Sequence, residues 1–279
     1  MRSTTRWSVV VMAKAAVPGR VKTRLTRPAD GRPGLSAEAA AAVHSAMLDC
    51  VLKRAQTWLS ADRPGVNGAS EAEAAASWQG GPAPRRWVLA MDDPTRPPAG
   101  AVAAGWEVVG QGEGDLGDRL DHVWQRERER ATGDEQAANS VHGPGTGGGH
   151  GVVFFGVDCP DVPGEALRQI LATMEGPDDS PTADGSVEAV VGPVSDGGYW
   201  TLGCRGYRPQ LIRGIDWGGP GVYDQTRRAA WAAGVELRSL PAWHDVDEPA
   251  DLEALRQRLI DAQEPALREL RDALPALRA

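Results

Sequence analysis

A chain of 279 residues is long enough for one large domain with its own core, and a formal charge of −8 disfavours nucleic acid, whose affinity rests largely on Lys and Arg neutralising phosphates. Three cysteines, Cys50, Cys159 and Cys204, lack metal-type spacing and point to a reducing compartment rather than a disulfide framework. No apolar stretch is long enough to cross a bilayer, so no membrane span is expected.

The first apolar run reads as a strand over Ser8–Ala13. Lys14 follows it where a signal peptide would need a longer core and a small-residue cleavage site, so a cytoplasmic protein is expected. A helix is expected from Ser36 to Leu59, with Val43, Met47, Cys50, Val51 and Arg54 on one stripe. The stretch 61–84 is Ala, Gly, Ser and Pro with little to bury, and reads as a flexible surface insertion. Strands follow at Trp87–Met91 and Glu107–Val109, then a helix over Leu116–Arg130. The polar, then Gly-rich, stretch 132–151 reads as a second insertion. A glycine loop that cradles phosphate opens onto a helix, and this one feeds a strand at Val152–Val157. After it come a helix at Gly164–Met174, strands at Val187–Val191 and Tyr199–Leu202, and a helix at Val222–Ala233. A strand at Val235–Leu240, a helix at Pro249–Ile260 and a helical tail from about residue 260 complete the series. Strands alternating with helices predict a single α/β domain over 1–279, its mostly parallel sheet covered by helices on both faces.

Five segments carry candidate chemistry. In the first, Lys14, Arg20, Lys22 and Arg24 crowd a loop that leaves the first strand and turns at Pro18-Gly19. In open α/β sheets ligands sit beyond the carboxyl ends of strands, where these cations would meet a diphosphate. The Gly and Lys are not adjacent, so this is not a Walker A loop. The second, Gly112-Glu113-Gly114-Asp115-Leu116-Gly117, has dinucleotide spacing, but its two acids would repel a pyrophosphate, and Asp115 also suits a helix cap. The third places Asp158 at the tip of a buried strand before Cys159-Pro160-Asp161. Asp158 is read as a ligand for Mg²⁺ or Mn²⁺, Asp161 as a cap of the next helix and Cys159 as a packed thiol. The fourth is Pro193-Val194-Ser195-Asp196-Gly197-Gly198-Tyr199, where Asp196 is either an Asx-turn residue or a group presented to substrate. The fifth, His244-Asp245-Val246-Asp247-Glu248-Pro249, sets Asp245 and Asp247 on the same side of an extended segment, a second half for a metal site.

Taken together, these segments resemble the DUF2064 family of GT-A-type glycosyltransferases, associated in some genomes with arsenosugar biosynthesis. More distantly they are similar to small nucleotidyltransferases such as the molybdenum-cofactor and phospholactate enzymes. The family pattern A-K-x-P-x-P-G-x-V-K-T-R-L matches Ala13–Leu25, G-D-L-G-x-R-L matches Gly114–Leu120, and D-C-P matches Asp158–Pro160. G-P-x-x-D-G-G-Y falls on Gly192–Tyr199 and D-V-D-T-P-x-D-L on Asp245–Leu252. Ala16 departs from a Pro, Glu248 from a Thr, and Gly218-Gly219 from the hydroxyl residues that often follow Trp217.

The resemblance implies a GT-A fold with a divalent metal, Mg²⁺ or Mn²⁺, serving a nucleotide donor. The expected site has Lys14, Gly19, Arg20, Lys22, Arg24 and Asp115 toward the nucleotide phosphates, and Asp158, Asp245 and Asp247 toward the metal. Gly197, Gly198, Tyr199 and Trp217 face substrate, and Asp196 and Asp245 are the catalytic carboxylates, candidates for the base toward an acceptor hydroxyl. The expected activity is transfer of a glycosyl group from a nucleoside-diphosphate sugar to a small-molecule acceptor. A nucleotidyltransferase acting on a nucleoside triphosphate and a phosphorylated acceptor is the alternative, and a silent nucleotide-binding module a third reading.

Overall fold

A computed structural model describes residues 6–27, 34–60, 85–142, 149–175 and 187–275, with the backbone alone for 134–142 and 175. The proposed insertion at 61–84 therefore lies outside the described residues. The strands are β1 (Arg6–Ala13), β2 (Arg85–Met91), β3 (Glu107–Gly110), β4 (His150–Phe155), β5 (Ala189–Pro193), β6 (Tyr199–Arg205) and β7 (Leu237–Ser239). The helices are α1 (Thr23–Thr26), α2 (Ala37–Leu59), α3 (Leu116–His142), α4 (Gly164–Glu175), α5 (Val222–Ala232), α6 (Pro249–Arg258) and α7 (Pro265–Ala273), with a 3₁₀ turn at Pro209–Leu211.

The strands form one sheet in the order β3-β2-β1-β4-β6-β5-β7. All neighbours pair parallel except β6, which is antiparallel to both β4 and β5. This is the expected α/β architecture, and its near-continuous Val runs reflect burial on both faces. Alternation along each strand feeds two cores. Val9, Val11, Leu89, Val153 and Phe155 pack toward α2, α4 and the C-terminal helices. Val10, Val88, Val152, Phe154 and Leu202 pack toward α3 and α5.

Ser36 caps α2, its hydroxyl accepting from the Ala39 amide at 3.1 Å, and the expected stripe of Val43, Met47, Cys50, Val51 and Arg54 is buried. Arg54 is the exception to apolar burial, and it is paired. Its Nε donates to Glu264 at 2.9 Å and its Nη1 to the Pro160 carbonyl at 2.8 Å. The arginine thereby ties the C-terminal segment, where Ala266, Leu270 and Leu274 are buried, to the turn after β4.

One helix overruns its expected end. α3 continues from Arg130 to His142, taking up the first part of the stretch 132–151, and β4 takes up its last two residues. Ala, Glu and Gln dominate 134–138, and a helix already nucleated needs only residues that propagate it, not residues that bury anything. The segment 143–148 lies outside the described residues.

Candidate active site at the carboxyl edge of the sheet

β1 lies between β2 and β4, and the chain leaves β1 toward one side and β4 toward the other. At that divergence a cavity of about 690 Å³ opens beyond the carboxyl ends of the strands. Of the expected residues, Lys14, Arg20, Lys22, Arg24, Asp115, Asp158, Tyr199, Trp217 and Asp247 line it. Gly19, Asp196, Gly197, Gly198 and Asp245 do not. Asp196 and Asp245 adjoin it through Asp247, since one carboxylate oxygen of each of the three acids lies within 4.8 Å of the others.

The basic loop is shaped by a turn in which the Arg20 amide donates to the Val17 carbonyl at 3.0 Å, with Pro18 second and Gly19 third at φ +77°. That positive φ is the reason glycine follows proline here. The loop is held from below by Asp92, at the tip of β2. Its Oδ1 accepts from the Ala15 amide at 2.7 Å and its Oδ2 stands 3.8 Å from Arg20. Asp92 escaped the sequence reading, although the reasoning that found Asp158, a carboxylate just past a buried strand, applies to it equally. Gln111, also unforeseen, is buried and donates to the Ala13 and Ala90 carbonyls at 2.9 and 2.8 Å, clamping the ends of β1 and β2. The buried His44 ring meets the Lys14 carbonyl at 2.9 Å, and burial lowers its pKa.

Lys22 is the centre of the acidic side. Its side chain is 4% exposed, and its ammonium donates to Asp158, to Asp247 Oδ1 at 3.1 Å and to the Val246 carbonyl at 2.5 Å. Burial pulls the lysine pKa down, but the charges of Asp158 and Asp247 outweigh it and hold the pKa above its usual value. Desolvation raises the Asp158 carboxyl in turn, and Lys22 more than reverses the effect. Arg24 adds a contact at 3.1 Å to the second oxygen of Asp247.

Between Asp245 and Asp247, Val246 is fully buried and its amide donates to the Asp158 carbonyl at 2.9 Å. Asp196 joins their group in place of Asp158. It is also the Asx-turn residue, its Oδ1 accepting from the Gly198 amide at 2.8 Å. Burial raises the Asp245 carboxyl, and the charge of Asp196 adds to it.

Asp115 caps α3 and exchanges side-chain to amide bonds with Asp118 at 2.9 and 3.1 Å, while still lining the cavity. Trp217 donates to the Ile212 carbonyl at 3.1 Å and meets Tyr199 edge-on, giving the cavity an aromatic wall. Asp161 departs from expectation. Its buried carboxylate accepts from Trp243 at 3.1 Å and Arg258 at 2.5 Å rather than capping α4, because those donors reach it from the closing segment of the chain. Cys159 is buried, and burial next to Asp158 pushes its thiol pKa well up, consistent with a packed, unreactive cysteine.

The family described as "Uncharacterized protein conserved in bacteria (DUF2064)" matches residues 80–219, half of the chain. The chain belongs to the DUF2064 family. No curated protein matches the sequence. Among solved structures, a "putative nucleotide-diphospho-sugar transferase" from Desulfovibrio desulfuricans G20 is similar over 95% of this chain and 94% of its own, with TM-score 0.65 and 22% identity. That likeness shows the fold. Weaker similarities, at TM-scores of 0.45 and 0.47, reach a CMP:2-keto-3-deoxy-manno-octonic acid synthetase complexed with CTP and a 4-diphosphocytidyl-2C-methyl-D-erythritol synthase. They share 15% and 10% identity and cover 91% of this chain with 98% and 99% of theirs. This DUF2064 protein therefore has a nucleotide-diphospho-sugar transferase-like fold, and none of its described helices is long and apolar enough to cross a membrane.

Proposed function

We propose that this DUF2064 protein transfers a glycosyl group from a nucleoside-diphosphate sugar to an acceptor hydroxyl, in a reaction that depends on Mg²⁺ or Mn²⁺. One observation carries the reading: a cavity at the carboxyl edge of the sheet is lined by the cations Lys14, Arg20 and Arg24 together with the carboxylates Asp158 and Asp247. The cations suit a diphosphate, and the carboxylates suit the hard ion that accompanies one. The likeness to the Desulfovibrio nucleotide-diphospho-sugar transferase supports a nucleotide-dependent transferase.

The donor set fits a divalent ion, because oxygens of Asp158, Asp247 and the Val246 carbonyl converge on a point where a cation, the Lys22 ammonium, already stands. Those three groups would hold the metal, which when bound neutralises charge on the leaving diphosphate. Arg20 and Lys14 orient that diphosphate from the loop above. Trp217 and Tyr199 form the apolar wall for the donor. Asp245, whose carboxyl is lifted by burial and by Asp196, takes the proton from the acceptor hydroxyl.

A thermal-shift panel of UDP, GDP, CTP, GTP and sugar nucleotides, each with and without Mn²⁺ or Mg²⁺, tests the reading. Saturation at 100 times Kd stabilises a folded protein by about 2.7 kcal/mol. A metal-dependent shift with a diphosphate, followed by nucleoside diphosphate release on adding acceptor, is the expected outcome. Preference for a triphosphate with pyrophosphate release would reassign the protein as a nucleotidyltransferase. No shift with any nucleotide would overturn both.

A further inference from the structure

Lys22 makes more contacts than a phosphate-binding lysine can sustain. An ammonium has three protons, and here all three are spent, on Asp158, Asp247 and the Val246 carbonyl. None is left for a phosphate. The side chain is 4% exposed, so water does not compete for it. Lys22 also holds φ +48°, the only positive φ at a non-glycine among the described residues, a conformation uncommon outside glycine. The fold thus keeps a strained backbone and a saturated ammonium at the point where the reading above puts a divalent ion. Two carboxylates and a backbone carbonyl are the ligands a hard cation takes.

We infer that Lys22 is a place-holding cation: it fills the metal site of the ligand-free protein and yields it only when the metal arrives together with a diphosphate. This rests on the metal and diphosphate site proposed above. Charge decides the joint requirement. Asp158 and Asp247 are balanced by Lys22 and Arg24, both within ion-pair distance. A divalent ion entering alone would add two positive charges and press against the ammonium it displaces. A diphosphate entering with it supplies the missing negative charge and gives the released ammonium a new acceptor. The four-carbon stem of lysine allows that swing without moving β1. Each ligand then tightens the other, and by linkage the coupling is equal in both directions.

The test compares wild type with Lys22→Met, which removes the charge and keeps most of the stem, by calorimetric titration with Mn²⁺ alone and with Mn²⁺ plus inorganic pyrophosphate. The variant is expected to bind Mn²⁺ alone at least tenfold more tightly than wild type. Pyrophosphate is expected to tighten Mn²⁺ at least tenfold in wild type and to lose most of that effect in the variant. A folded variant that binds Mn²⁺ no more tightly than wild type overturns the inference, as does wild type whose Mn²⁺ affinity ignores pyrophosphate. If Lys22→Met does not fold, the Nζ resonance of Lys22 in ¹⁵N-lysine-labelled wild type decides. It should hold its position with Mg²⁺ alone and move with Mg²⁺ plus pyrophosphate, and a resonance unmoved by both refutes the exchange. A variant that gains Mn²⁺ affinity in a protein that binds no nucleotide would sustain the place-holder and sink the transfer reading, so the two fail separately.

Discussion

At Asp245, burial and the neighbouring charge of Asp196 both favour the protonated carboxyl, so the native state holds this proton to a higher pH than the unfolded chain does. The sign of the linkage follows. Stability contributed by that proton is present below the unfolded pKa and is lost as pH rises through the raised native value, leaving a deficit at neutral pH. Asp245→Asn should therefore stabilise the fold at pH 7 without metal, read as a higher Tm, by about 0.2–1 kcal/mol for such a partly exposed charge. It should also flatten the pH dependence of Tm on the alkaline side of the ordinary carboxylate range and abolish the proposed transfer. A lower Tm for the variant would show that the hydrogen bond from the Ser195 hydroxyl to this carboxylate, at 3.3 Å, outweighs the repulsion from Asp196. Gly197 makes the opposite kind of demand. At φ +92°, a Cβ there would stand 1.7 Å from the Pro220 carbonyl oxygen. Gly197→Ala is expected to lose about 2–4 kcal/mol in urea unfolding, since strain and overpacking add.

Among elements, α2 works as a brace. Arg54 crosses from its buried face to Glu264 before α7 and to the Pro160 carbonyl beside Asp158. Breaking one partner of a buried pair typically costs about 3–5 kcal/mol, so Arg54→Met should fall in that range by urea denaturation. The same variant should weaken Mn²⁺ plus pyrophosphate binding, because the turn carrying Asp158 loses its support. The stripe that placed Arg54 on the buried face could be read from sequence. Its partners could not, because spacing along a helix says nothing about which distant segment docks there. Strand and helix order was legible for the same reason the stripe was: apolar periodicity is local. The end of α3 was missed because low apolar content was read as a loop, when Ala, Glu and Gln were enough to propagate a helix already begun. In the candidate site, alternation was enough to bring Asp245 and Asp247 together on either side of the buried Val246. The engagement of Lys22 by acids was not legible, since the charge pattern of a loop does not reveal whether its cations face a ligand or the protein's own carboxylates.

Across the whole molecule, acid sensitivity is expected at the edge opposite the cavity. His150 opens β4 and meets the Ser8 hydroxyl at 3.0 Å, and burial, with Arg6 and Arg86 nearby, lowers its pKa to about 4. A native pKa below the unfolded one means that stability is intact above pH 6.5 and is lost as pH falls toward 4. On the order of 2–3 kcal/mol should disappear across that window. His150→Gln should remove most of the slope in urea midpoints measured from pH 7 to pH 4, and an unchanged slope would assign the acid sensitivity to other groups.

The contact between Lys22 and Asp247 spans 225 residues of chain, and this has a consequence for how the protein is made. A ribosome adding roughly 5–20 residues per second needs about 11–45 s to travel from one to the other. Throughout that interval β1 and its cationic loop are already synthesised while Asp247, Val246 and Arg258 are not. A nascent or truncated chain can therefore display the cationic loop without Asp247, one of the two acids that hold Lys22. Such fragments should scavenge polyanions indiscriminately, and the proposed selectivity for a metal-bound diphosphate would begin only when the segment carrying Asp247 folds back over the turn at Asp158.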